Sequence, residues 1–403
     1  SFVLKAPTYG SSSFKKSGKG TLILAGENHS TGSIIVEEGN LSFAEQKHLG
    51  KSPIYFPEKS SGTLLSRQDA SLTNSLLVEG KATINTPQAS QLFLEGSIKG
   101  QGSITKQGKG DLLLAGENTY EGSTTIVEGS LAIHSQKNLG KGPVFFPTFS
   151  TGTLTALSDL QLEKTVIVDA YATFITPGTV QMDLLNKVEG KGHLMKKGTG
   201  LLCIQNGHTY EGNTFIKEGI LEIAPNASVG KGKIVIDGGS LKASHTLEKK
   251  PIFMKTSGAI LVPENHFLLI DGTIEGMGSV HKKELGELIL SGENVYAGGT
   301  YIEEGSLVVK RSTALGKGAL HLAGGTCTLH DACTVHNPLQ LESAGAISVH
   351  KDHTAYWAGP ISGEFPMTKT GPGTLFVEGE NTYEGITFIK EGALCIRSET
   401  CLG

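Results

Sequence analysis

Short apolar runs separated by glycine-rich polar stretches fill this chain from end to end. The runs keep one phase against a set of glycines. Three residues before Gly39, Gly129, Gly219, Gly305 and Gly392 stand Val36, Ile126, Ile216, Ile302 and Ile389, and five before stand Ile34, Thr124, Thr214, Thr300 and Thr387. Two residues after them come Leu41, Leu131, Leu221, Leu307 and Leu394, and four after come Phe43, Ile133, Ile223, Val309 and Ile396. A period of two places these side chains on one face of extended chain. Their bulk and branching suit a buried strand face. The intervening Ser42, Ala132, Glu222, Val308 and Cys395 are expected to face outward. The same expectation holds for two rows that are unusually apolar for a solvent face. One is Ile23, Leu113, Cys203, Ile289 and Phe376; the other is Ile35, Thr125, Phe215, Tyr301 and Phe388.

The pattern is written five times. Its opening glycines are Gly20, Gly110, Gly200, Gly286 and Gly373, at spacings of 90, 90, 86 and 87 residues. A fixed period over a whole chain predicts a stacked array, not a globule around one site. No helical period competes with the strand pattern. The reading is an all-β chain, one continuous parallel β-solenoid built from five copies of a repeat of about 88 residues, with units near 1–50, 51–140, 141–230, 231–316 and 317–403. At roughly 22 residues per coil each repeat would hold about 4 coils. The chain would hold about 18, a body roughly 85 Å long at about 4.8 Å per rung. All five residues three before the second glycine are expected in the core.

Asn28, Asn118, Asn294 and Asn381 recur in the turn between the two glycines, with His208 in their place in the third repeat. Members four coils apart cannot touch, so each Asn is expected to close its own turn through local backbone bonds. The turn at His208 is expected to differ. Tyr120, Tyr210, Tyr296 and Tyr383 follow two residues later. They read as rings lying over the turn with the hydroxyl in water, or as a row of aromatics that binds sugar or partner.

Composition narrows the function classes. Glycine, 54 of 403 residues, punctuates strands without the every-third spacing of collagen. Net charge is −4 and only Arg67, Arg311 and Arg397 are arginines, so nucleic acid is not an expected partner. No apolar run reaches the ~18 residues of a membrane helix. The chain starts without Met and stops inside a repeat, which reads as a piece of a longer protein. The Asp residues are scattered, without the paired carboxylates that glycoside hydrolysis needs. No nucleophile elbow, zinc helix or phosphate loop occurs. No catalytic residue and no cofactor are expected.

Five cysteines are too few for a disulfide scaffold. Cys327, His330, Cys333 and His336 set a soft ligand at every third residue, the one candidate metal group, with His350 and His353 about one coil on. Extended chain would send the two cysteines to one face and the histidines to the other, so zinc is not expected to be needed for folding. A Cys327–Cys333 disulfide is a second reading of the segment, and free thiols, buried or merely exposed, are the third and the expected one.

The stretch from Gly371 to Ile396, with its Gly-x-Gly-Thr-Leu opening, Asn-Thr-Tyr-x-Gly turn and closing Gly-x-Leu-x-Ile, resembles the autotransporter-associated β-strand repeat. The resemblance recurs in all five units, from about Gly18 onward. His29-Ser30 departs from it, and 53–90, 143–180 and 233–265 carry less of it. It implies a passenger of type V secretion, folded as a right-handed parallel β-helix. Such a passenger reaches the surface of a Gram-negative bacterium through its own C-terminal outer-membrane barrel, which these residues do not include. It implies no catalytic residues. A non-catalytic adhesin or stalk is the expected function, its partner a host-cell surface or another copy of itself, with Phe215, Tyr301 and Phe388 as a possible contact surface. A toxin passenger of the vacuolating-cytotoxin type is the alternative, and a carbohydrate-active β-helix a more distant one.

Overall fold

The computed structural model describes residues 1–330, 333–397 and 399–402. It is a parallel β-solenoid with very little helix. The described pairings, such as Thr124–Ile126 on Val144–Phe146 and Thr300–Ile302 on Leu320–Leu322, are parallel. Parallel pairing requires a crossover between neighbours. Here the crossover is the rest of one coil.

The chain falls into two compact units, Ser1–Gly212 with Val229–Lys231, and Asn213–Ser228 with Gly232–Gly403. In the first, a ten-stranded sheet starts at Phe2–Leu4 and ends at Val188–Glu189. A five-stranded sheet carries Phe14–Lys16, Ile34–Val36, Ile54–Phe56, Leu76–Val78 and Ile98–Lys99. A third row runs from Ala70–Leu72 to His193–Lys197. In the second unit an eight-stranded sheet runs from Thr246–Leu247 to Thr387–Ile389. Beside it lie a row from Ile220–Ile223 to Ile361–Gly363, and a four-stranded sheet from Thr334–Val335 to Ala393–Ile396.

Strand register gives the coil length. Ile104 pairs Thr124, Thr124 pairs Val144, Val144 pairs Val166 and Val166 pairs Val188. Four coils thus carry the chain from Ile104 to Val188, a shorter span than the repeat from Gly20 to Gly110. Each repeat overshoots four full coils by part of a turn, so equivalent strands do not stack in one sheet. Ile34–Val36 belongs to the five-stranded sheet, and its counterpart in the next repeat, Thr124–Ile126, to the ten-stranded one. Within the second unit, Thr214–Ile216, Thr300–Ile302 and Thr387–Ile389 lie in three different sheets. Each repeat steps its motif round to the next face.

The core follows the period-two pattern. Val36, Ile126, Ile216 and Ile302 are fully buried, as are Leu41, Leu221 and Leu307. Ile389 departs from the expectation at 55% exposed. Its strand is the last in its sheet, so no further rung covers it. Outward rows also bury more than expected. Ser42, between Ile23 and Leu65 on neighbouring rungs, is covered by these larger side chains. Val308, between Ile289 and Thr328, and Cys203, beside Asp183, are buried too. At rung spacing the outer rows pack against themselves.

Candidate functional site

The repeat's constant residues turn inward and fasten one coil to the next. A lysine stands last or next to last in the strand before each Gly-rich turn: Lys16, Lys106, Lys196, Lys282 and Lys369, all buried. The Nζ of Lys106 donates to the carbonyls of Gln107 (3.0 Å), Gly108 (2.5 Å) and, one coil on, Glu128 (3.0 Å). Lys16 reaches Ser17, Gly18 and Glu38 in the same way, Lys282 reaches Lys283, Glu284 and Glu304, and Lys369 reaches Thr370, Gly371 and Glu391. Three carbonyl dipoles offset the desolvation of a buried ammonium. Burial pushes Lys106 and Lys282 down to about 8, against the opposing pull of nearby carboxylates, so both remain protonated at neutral pH. The second motif glycine completes the cradle. Gly129 has φ 72°, and a Cβ there would lie 2.3 Å from the Gly108 oxygen and 2.8 Å from the Lys106 ammonium. Gly39, Gly219, Gly305 and Gly392 share this left-handed conformation.

The turn asparagines also bridge coils, which corrects the expectation of purely local turns. Asn118 Oδ1 accepts the Ile98 N–H (2.7 Å) from the coil before, and its Nδ2 donates to the Asn138 carbonyl in the coil after. Asn294 repeats this with Ile274 (2.8 Å) and Ala314 (2.6 Å), and Asn381 with Ile361 (2.7 Å) and Cys401 (2.7 Å). The segment holding the Asn is not a strand, and its side chain replaces the missing ladder bonds. Asn28 combines both modes, accepting from the Ser30 N–H two residues on and donating to the Leu49 carbonyl. His208 supplies the acceptor alone: its Nδ1 takes the Val188 N–H at 2.8 Å, while Nε2 is buried without a hydrogen-bond partner. Burial pushes this imidazole down to about 4.

The tyrosines are packing residues, with the hydroxyl inside and not in water. Tyr120, Tyr210 and Tyr296 are fully buried. The hydroxyls of Tyr120 and Tyr383 lie 2.5 Å from Thr124 and Thr387, and Tyr296 bonds Thr300 likewise. The glycine of the next coil lies against the ring. A Cβ at Gly140 would approach Tyr120 ring carbons to 2.3 Å, and one at Gly230 would approach Tyr210 to 2.4 Å.

The outward trio does not form a single stripe, since its members lie in three sheets. Tyr301 is sandwiched between His281 and His321, ring centroids 4.4 and 4.0 Å away and planes nearly parallel. These imidazoles in turn contact Glu303 and Glu342, each at 2.7 Å. Phe215 is half-buried with Lys217 over its ring, and Phe388 is exposed. The four Cys/His candidates are not brought together either. Cys327 is fully buried on the core face of Thr326–Leu329, where burial and the neighbouring Cys333 thiol raise its pKa. Cys333 is buried, His336 is exposed, and no disulfide forms among the described residues. His330 turns instead toward His350 and His353, a grouping that needs coil register to see.

Open grooves on the first unit are lined by polar side chains. One holds Asp159 and Asp183, but Asp159 accepts the Gln181 N–H (2.9 Å) and Asp183 the Gln181 amide (2.8 Å). Asp183 is thus tied to a side chain of its own strand, and Asp159 to the neighbouring rung. Asp69 caps the Gln91 N–H (2.8 Å) in the same way, which marks the contact as a feature of the coil. Among the described residues no helix is long and apolar enough to cross a membrane.

A parallel solenoid whose repeated residues bind its own backbone defines a class of structural repeat arrays. The particular repeat is the passenger-associated-transport-repeat, matched at residues 14–43, 104–133, 194–223, 280–309 and 367–395, and the chain is a β-solenoid that carries five copies of it. Over 130 residues, 32% of the chain, it is 36% identical to the Adhesin BmaC autotransporter of Brucella suis biovar 1 (strain 1330). Over 40 residues, 10% of the chain, it is 52% identical to an extracellular serine protease of Serratia marcescens. Each match spans 4% of the relative's length. No solved structure matches.

Proposed function

We propose that this chain is a non-catalytic passenger segment, carried through the outer membrane of a Gram-negative bacterium and displayed outside the cell as an adhesive solenoid. The observation that carries the proposal is how the repeat uses its constant residues. Lysine and asparagine bond from coil to coil, and the tyrosine ring packs against the glycine of the next coil, which leaves the outer rows free to vary. Solenoids of this construction bind through extended lateral surface. The adhesin named among its relatives supports this direction, and the tied carboxylates of the Asp159 groove favour no hydrolytic reading. The partner would be a host-cell surface or a second copy, met through separate patches on different faces, with Tyr301 and Phe388 in two of them.

Surface display tests this. The chain is fused ahead of an autotransporter barrel in a Gram-negative laboratory host. Intact cells should bind antibody against the chain, and should adhere to epithelial cells or to one another more than cells showing the barrel alone. Phe388→Ala should weaken adhesion without lowering the melting temperature, and Tyr301→Ala should weaken it with some loss of stability from the stack with His281 and His321. Full surface density with no added adhesion would overturn the adhesive reading. Turnover of glycans or peptides, abolished by Asp159→Asn, would overturn the non-catalytic one.

A further inference from the structure

The second unit carries a histidine cluster that stands apart from the repeat's constant residues. His330 follows directly on the strand Thr326–Leu329, and His350 directly on Gly345–Val349. These strands pair in parallel, Leu329 opposite Val349, so the two histidines occupy the next step of adjacent rungs. The chain then turns back. Asp352 is left-handed at φ 64°, and the His353 N–H donates to the His350 carbonyl at 3.2 Å. That turn brings a third imidazole to the pair. The ring centroids lie 5.2 Å (His330–His350), 4.8 Å (His330–His353) and 5.5 Å (His350–His353) apart. One nitrogen from each ring lies within 4.8 Å of the other two.

Backbone bonds hold all three residues. The His330 N–H donates to Val309 (3.1 Å), the His350 N–H to Leu329 (3.4 Å), and the His353 carbonyl accepts the Thr374 N–H (3.0 Å). His330 and His353 are half-buried and His350 is exposed, so the cluster opens to solvent on one side.

We propose that His330, His350 and His353 form a binding site for a borderline divalent transition metal, with Zn²⁺ as the ion it takes. Neutral imidazoles suit zinc, copper and nickel, whereas calcium and magnesium want oxygen ligands. Zinc–nitrogen bonds of about 2.0–2.1 Å place tetrahedral ligand nitrogens roughly 3.4 Å apart. Side-chain rotation of an ångström or so closes the observed spacing to that value. Three ligands from two rungs leave a fourth position toward solvent for water. The bound ion would staple neighbouring coils without Cys327, Cys333 and His336, the other candidates in this stretch, which do not join the histidine group: the two cysteines are buried and His336 is exposed.

The test uses the whole chain without a histidine tag and zinc chloride as the probe, titrated by calorimetry at pH 7.5. One equivalent should bind per chain, with a dissociation constant of about 1 μM or tighter. Cobalt in place of zinc should give the visible d–d bands of a four-coordinate site. His350→Ala and His353→Gln should each weaken zinc roughly a hundredfold, as loss of one of three ligands requires. His336→Ala should leave binding unchanged. Zinc should raise the melting temperature of the wild type and not that of His350→Ala, whose metal-free melting should match wild type because the residue is exposed. Absence of saturable one-to-one binding would overturn the proposal. So would zinc affinity that survives in the His350→Ala/His353→Gln double variant.

Discussion

The turns at Asn118 and His208 occupy the same place in consecutive repeats but fasten it differently. Asn118 has an acceptor and a donor on one short amide, and so reaches the coil on either side. His208 keeps the acceptor bond to Val188 at almost the same length but presents a second nitrogen that finds no partner. The comparison teaches what the motif selects: a side chain that can hydrogen-bond along the solenoid axis in both directions. The substituted turn keeps the fold while carrying one unpaired buried polar atom and a titratable group.

The strongest way to break this picture is to remove the fastening that both repeats share. Lys106→Met keeps length and apolar bulk but leaves the carbonyls of Gln107, Gly108 and Glu128 without their donor. Losing charged hydrogen bonds inside the coil should cost about 4 kcal/mol in urea unfolding. Lys99→Met, on an exposed site, should stay within about 0.5 kcal/mol. Equal effects would mean that the buried ammonium is not a fastening.

The His208 turn should reveal itself through acid. With its folded-state pKa pushed down to about 4, below the ordinary 6.5, the folded chain binds fewer protons than the unfolded chain between those values. Stability from this group is therefore complete above pH 6.5 and is lost as pH falls toward 4, on the order of 3 kcal/mol in all. Unfolding followed against pH in wild type and His208→Asn measures it: the slope across this window should flatten in the variant.

At neutral pH the same His208→Asn change should stabilise by about 1 kcal/mol, by restoring a donor to the axial direction. Tyr120→Phe sharpens the comparison from the other side. It removes one hydroxyl from its bond to Thr124 and should cost about 1 kcal/mol with the ring packing intact. Thermal melting checks both, and a destabilised His208→Asn would mean that the third turn has its own geometry.

Much of the fold was legible in the residues. The period-two rows gave the core face at Val36, Ile126, Ile216 and Ile302, and the glycine phase gave the turns. Ile389 was misplaced because its exposure depends on whether another rung covers it, which a residue pattern does not carry. The stepping of repeats from face to face was not legible either. It turns on a coil slightly shorter than a quarter of the repeat, a difference that only strand register resolves. The cradle lysines went unread because a charged residue at a strand end looks solvated. Their recurrence with the same period as the glycines was the available signal. Tyr301 was placed outward but not between His281 and His321, whose side chains meet it from the rungs before and after. Separation by a whole coil likewise hid the joining of His330 to His350 and His353.

The central claim, that the repeat's asparagines bond along the axis from coil to coil and not only within their own turns, is met most directly by hydrogen–deuterium exchange on Asn118→Ala. Peptides containing Ile98, one coil before the substitution, should lose protection roughly tenfold or more, as should those around Asn138, one coil after, while the turn at Asn294 stays as in wild type. Loss confined to residues 116–122, with Ile98 still protected, would contradict the account and return the asparagine to a local turn.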